Sequence, residues 1–189
     1  FLTIVIALAI GGFAIYSSAT LGLLAREGVS VSRDIFMQAL LGLGLGSFGL
    51  ILARKIPLTK IRDFAPWLYG GALLITALVF MPGIGTHANG ATRWLDIGFT
   101  TVQPAEFLKI GVVLMLAWWI AKSARVLADP RKGLLPFLGI VGLPAILLLL
   151  QPNTSTMLLI GATGAVMYFV AGAPWRDFLI FLFLTAVVL

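Results

Sequence analysis

Long apolar stretches follow one another along the chain, each closed by a short polar, glycine-rich or proline-bearing segment. Read in order, they predict helices at roughly 1–18, 35–53, 64–82, 104–121, 134–151 and 155–172, with another beginning at 178. About 20 predominantly apolar residues cross a bilayer core, so each stretch has membrane-spanning length. The expected fold class is all-α: a polytopic transmembrane helical bundle of six spans and part of a seventh, forming a single transmembrane domain over 1–189. The second stretch is dense in glycine, and Gly42 with Gly46 makes a small-xxx-small pair expected to form a packing face. Pro144 should kink the fifth helix, because it removes a backbone donor. Trp67, Tyr69, Trp118 and Trp119 lie near helix ends, where aromatic side chains anchor at the membrane interface.

Composition strengthens this picture. The chain is 60% hydrophobic and 11% charged, against about 25% charged in soluble domains. Its net charge of +6 does not point to nucleic acid, because the basic residues sit in short loops between apolar runs. Arg54, Lys55, Lys60, Arg62, Lys122, Arg125, Arg131, Lys132 and Arg176 follow the even-numbered helices, whereas Arg26, Arg33 and Arg93 lie on the other side. By the positive-inside rule, the even-numbered loops and the N-terminus are cytoplasmic. The chain has no cysteine and a single histidine, His87, so neither thiol chemistry nor a His-rich metal site is expected. It begins with Phe1 and stops at Leu189 within an apolar run, and both ends read as cut.

The orientation places segment 83–103 outside, as a polar, extracytoplasmic motif loop. It holds Gly90, Arg93, Trp94 and Asp96, and leads through Gln103-Pro104 to Glu106 and Lys109. Pro104 suits the first turn of a helix, and residues three apart share a helix face. Glu106 and Lys109 should therefore meet, and an ionisable pair within a membrane helix suggests function. Arg93 offers a planar fork suited to phosphate or carboxylate; its bland alternatives are an ion pair with Asp96 or a lipid-headgroup contact. Trp94 is suited to stacking on a sugar or to marking the interface. Asp96 is a candidate base or metal ligand or, more simply, a turn or cap residue. Gln151-Pro152-Asn153-Thr154-Ser155-Thr156 is a polar break, read as a tight outer turn.

Gly90-Ala91-Thr92-Arg93-Trp94-Leu95-Asp96, then Gln103-Pro104-Ala105-Glu106 and Lys109, closely resemble the signature of the SEDS family, the RodA/FtsW/SpoVE group. Tyr16-Ser17-Ser18, Gln151-Pro152 and Gly172-Ala173-Pro174-Trp175-Arg176 resemble further family positions. The resemblance implies a ten-span fold in the bacterial inner (plasma) membrane and an enzyme that polymerises lipid II into peptidoglycan strands during cell division or elongation. It implies as partners lipid II, an undecaprenyl-pyrophosphate-linked disaccharide peptide, and a class B penicillin-binding protein. Arg93, Trp94 and Asp96 would then bind substrate, with Glu106 and Lys109 forming an intramembrane pair in the cavity wall. Gly90, Gln103, Pro104, Gln151 and Pro152 would be structural motif positions. The family's catalytic aspartate is expected beyond Leu189, so no residue here is assigned that role. No metal ligand is assigned either, and a divalent cation stays open as cofactor. Asn153-Thr154-Ser155-Thr156 departs from the family's D-x-G-T, and the segments around Ile84 and Asn89 lean toward the cell-division branch. A lipid II flippase or a non-enzymatic scaffold for division or elongation proteins are the alternatives.

Overall fold

The computed structural model describes residues 2–27, 36, 38–81, 84–88, 91–96, 98 and 101–188. The chain divides into two compact units, residues 1–57 and 58–189. In the first, α1 runs over Leu2–Glu27, well past the expected end at Ser18. The second expected helix is two pieces: a π-wound stretch Gln38–Leu45, then α2 over Gly46–Lys55. Gly42 and Gly46 line a groove beside Val5, Ile6 and Ala9. At Gly46 no atom lies within 4 Å of where a Cβ would stand, so the glycine face leaves a furrow rather than a tight seam.

The second unit holds α3 (Leu58–Leu78), three short strands, α4 (Pro104–Ser123), α5 (Leu134–Leu150), α6 (Thr154–Val170) and α7 (Trp175–Val188). α4 is its axis, packing against α3, α5, α6 and the second strand. Its inward stripe, Leu108, Val112 and Leu116, is essentially inaccessible to solvent. Gly111 lies on the face toward α3, where a Cβ would stand 3.2 Å from the Tyr69 Cα. A larger side chain there would push the two helices apart. Among the described residues only Pro104–Val126 meets both the length and the apolarity of a full span; Leu134–Leu150 and Thr154–Val170, at 17 residues each, lie at the short end of the spanning range.

Two departures from expectation have physical causes. α3 begins at Leu58, directly after Pro57, so Lys60, Arg62 and Asp63 ride on its first turns instead of forming a loop. Tyr69 is buried rather than interfacial. Its hydroxyl donates to the Ile140 carbonyl at 2.9 Å. In a regular helix that carbonyl would accept from residue 144, but Pro144 has no N–H. Tyr69 supplies the missing donor, and in doing so ties α3 to α5. Trp119 is likewise internal, 5.9 Å from the Tyr168 ring centroid, whereas its neighbour Trp118 carries the Lys122 ammonium over its face at 3.9 Å.

This pairing predicts that Tyr69→Phe lowers stability by about 1–3 kcal/mol, the cost of a buried carbonyl left without a donor. Adding Pro144→Ala, which restores the backbone N–H, should recover part of that loss. Thermal unfolding of the single and double variants in detergent checks it; strictly additive losses would contradict the assignment.

Candidate functional site: the three-stranded sheet and the turn beside it

The described residues of the segment expected to be a polar motif loop include a small antiparallel sheet in the order β1 (Gly85–Ala88), β2 (Ala91–Asp96), β3 (Thr101–Val102). Thr86, Thr92, Thr101 and Val102 are β-branched and favour extended backbone. Asn89, Gly90, Pro82, Gly83 and Ile97 lie outside the described residues. The ladder pairs Thr86 with Trp94 and His87 with Thr92, so Arg93 is the extra residue of a β-bulge. A bulge re-aims a side chain. Alternation along the strand puts Arg93 and Leu95 on the better-covered face, and Trp94 and Asp96 on the open one.

Half-buried Arg93 reaches the turn between α5 and α6. Its Nε donates to the Gln151 carbonyl at 3.1 Å, and one Nη donates to the Pro152 carbonyl. The last carbonyls of a helix have no partner within it, and a cation at that end also complements the helix dipole. Gln151, 2% exposed, passes the connection on: its Nε2 donates to the Thr76 carbonyl at 2.8 Å. That carbonyl is free because α3 tightens at its end, where the Phe80 N–H turns to Ala77 instead. One arginine and one glutamine thus join β2, the α5–α6 turn and the end of α3.

Among the described residues Arg93 forms no ion pair with a carboxylate. Asp96, the partner considered from sequence, is exposed and accepts from the Gly98 N–H at 2.7 Å, closing a turn in which Gly98 has φ +89°. Trp94 is 37% exposed. Gln103 precedes α4 without using its side chain as a cap, and Pro104 opens the helix. Lys109 Nζ meets Glu106 Oε2 at 2.8 Å, as the three-residue spacing requires. Lys109 also lines a cavity of about 120 Å³ between α4 and α6, with Val112, Leu116, Ile160 and Thr163, whereas Glu106 stands outside that lining. Two things escaped the sequence reading. Thr76 and Gln151 lie 75 positions apart, so no local pattern links them. Asn153, 4% exposed, leaves its Nδ2 without a described partner, at the position where the expected motif carries aspartate.

A helical membrane bundle capped by a small sheet that carries an uncompensated arginine is the class of protein these features define. The family model for FtsW/RodA/SpoVE cell cycle proteins matches residues 1–189, and the chain belongs to that family of membrane proteins. It is 33% identical over 180 residues to the probable peptidoglycan glycosyltransferase FtsW of Alcanivorax borkumensis, covering 93% of this chain and 46% of that protein. It is 29% identical over 141 residues to stage V sporulation protein E of Bacillus subtilis, covering 75% and 38%. The crystal structure of the Thermus thermophilus rod shape determining protein RodA superposes with a TM-score of 0.69 at 33% identity, over 96% of this chain and 57% of that one. A chain from a peptidoglycan synthase complex that coordinates polymerization and crosslinking matches with a TM-score of 0.70 at 29% identity, over 96% and 51%. The chain therefore spans about half the length of the relatives it matches.

The bridge predicts graded losses. Arg93→Lys replaces a fork with a single ammonium and should lower the unfolding temperature. Arg93→Ala should cost about 1.5–3 kcal/mol, the range for hydrogen bonds to charged groups. Gln151→Ala should destabilise comparably by stranding the Thr76 carbonyl. Calorimetry or thermal unfolding of the three variants reads this directly; wild-type stability in all of them would remove the bridge.

Proposed function

We propose that the whole protein of which this chain is part polymerises lipid II into glycan strands as a multi-pass enzyme of the bacterial inner membrane, its N-terminus cytoplasmic. Membership of the FtsW/RodA/SpoVE family supports this reading, together with the names of its relatives. The observation that carries it at residue level is Arg93. A guanidinium has five N–H donors, and two of them hold the carbonyls of Gln151 and Pro152. The remaining donors and the whole positive charge are uncompensated by any described carboxylate. A pyrophosphate-linked sugar entering from the lipid would find there a preoriented cation, and such fixed charge is most effective where a leaving group gains negative charge.

In this reading Arg93 binds the pyrophosphate, Trp94 stacks against the sugar from the open face of the sheet, and Asp96 shapes the cavity mouth by holding the Gly98 turn. Glu106 and Lys109 form an ion pair that keeps the start of α4 charged yet internally neutral, and in this reading they stand in the wall of the lipid-binding cavity. The base that deprotonates the attacking hydroxyl belongs to the family aspartate expected after this segment. A class B penicillin-binding protein is the partner that would crosslink the product.

The test uses the full-length protein with that partner and purified lipid II. Arg93→Ala should lower polymer yield by roughly 100-fold or more, the scale of losing one charge-stabilising donor, and Glu106→Ala should lower it too, because it leaves the Lys109 ammonium without its carboxylate. Normal polymerisation by both variants would defeat the site assignment. Transfer of lipid II across vesicle membranes without polymer would instead identify a flippase.

A further inference from the structure

The far end of the second unit carries a cluster that the polymerase reading leaves unused. Asp177, in the first turn of α7, is fully buried. Its Oδ1 accepts from Arg176 Nε and Nη2, each at 3.1 Å. Its Oδ2 lies 3.0 Å from the Tyr168 hydroxyl. That same hydroxyl stands 3.2 Å from the carbonyl of Leu127, a residue 2% exposed in the linker between α4 and α5. Gly133 completes the fit: a Cβ there would fall 2.7 Å from the Tyr168 hydroxyl and 2.1 Å from the Leu127 oxygen. The Tyr168 hydroxyl has one proton, shared between the Asp177 and Leu127 oxygens, so a single tyrosine bridges the α4–α5 linker and the start of α7.

This fastening gathers charge. Arg125, Arg131 and Lys132 lie exposed on the linker, and Arg176, its side chain 56% exposed, sits at the α7 end of the clasp. Against them stand Asp177, which is buried, and Asp129, whose carboxylate accepts the Arg131 N–H at 2.9 Å. Beside the cations are exposed apolar groups: Trp175 at 66%, Leu135 at 60% and Val126 at 37%. A surface for an acidic soluble peptide has no need of such neighbours, whereas a surface at the headgroup level of a bilayer does. There, a tryptophan sits at the interface and each basic residue gains from anionic lipid.

We propose that the α4–α5 linker and the start of α7 form one binding surface for anionic phospholipid headgroups, with Arg125, Arg131, Lys132 and Arg176 as its phosphate ligands. The Tyr168–Asp177 clasp keeps the two segments together so that the cations act on one headgroup cluster. The proposal rests on the membrane placement of the family, and is independent of what the three-stranded sheet does.

The full-length protein is reconstituted in nanodiscs of phosphatidylcholine doped with bromine-labelled phosphatidylglycerol or bromine-labelled phosphatidylcholine. Quenching at Trp175 is taken as the difference between wild type and Trp175→Phe. At low salt the anionic lipid should quench with about three- to tenfold higher apparent affinity than the zwitterionic one, and the preference should shrink as salt rises. The triple variant Arg125→Gln, Arg131→Gln, Lys132→Gln should bring the ratio close to one. Tyr168→Phe, which keeps every cation, should lower it in part. Equal quenching by both lipids in the wild type would overturn the proposal, as would an undiminished preference in the triple variant. Displacement of the preference by a polyglutamate peptide that binds more tightly than the lipid would assign the surface to a protein partner and overturn it too.

Discussion

Two peptide carbonyls in the turn that follows α5 lie beyond its helical ladder, and one guanidinium takes both. That interaction ties down the three-stranded sheet, because Arg93 is the bulged residue of β2 and its side chain joins the sheet to the turn at Gln151 and Pro152. The same turn is held from the other side by Gln151 on the Thr76 carbonyl. The sheet, the turn and the end of α3 thus share one hydrogen-bond path. Gln151 and Thr76 are buried, so the Thr76 carbonyl would be costly to leave unmet.

That path explains how one residue serves two ends. As a cap, Arg93 needs only two of its donors; as a cation, it needs only to lack a carboxylate. Asp96 is near in sequence yet spends its carboxylate on the Gly98 turn, which leaves the positive charge of Arg93 free to meet an anion. Glu106 and Lys109 behave differently, because they answer each other at 2.8 Å and bring little net charge to the top of α4. The site therefore separates a neutral pair from a cation that no described carboxylate answers.

Much of this was legible in the residues. The apolar runs placed every helix of the second unit to within a turn or two, and Pro104 with the three-residue spacing foretold the Glu106–Lys109 contact. What was not legible is non-local. Tyr69 reads as an interfacial anchor because it lies beside Trp67 near the expected helix start, yet Pro144, 75 positions later, leaves the Ile140 carbonyl that draws Tyr69 inward. Trp119 is internal for a similar reason: its partner Tyr168 comes from another helix. Segment 83–103 read as a loop because its glycines and polar residues outweigh a few threonines, and only pairing across strands reveals the sheet. The residue types around Arg93 point to Asp96, phosphate or lipid, whereas its partners are backbone carbonyls 58 and 59 positions away, which no side-chain pattern can announce.

The most direct measurement is photocrosslinking from the open face of the sheet. A photoreactive amino acid in place of Trp94, in the full-length protein reconstituted with trace lipid II among bulk phospholipid, should label lipid II. The label should disappear when unlabelled lipid II is added, and also when Arg93 is replaced by Gln. Labelling of bulk phospholipid alone, or lipid II labelling indifferent to Arg93, would contradict the claim that this arginine draws a phosphate-bearing sugar lipid to the sheet.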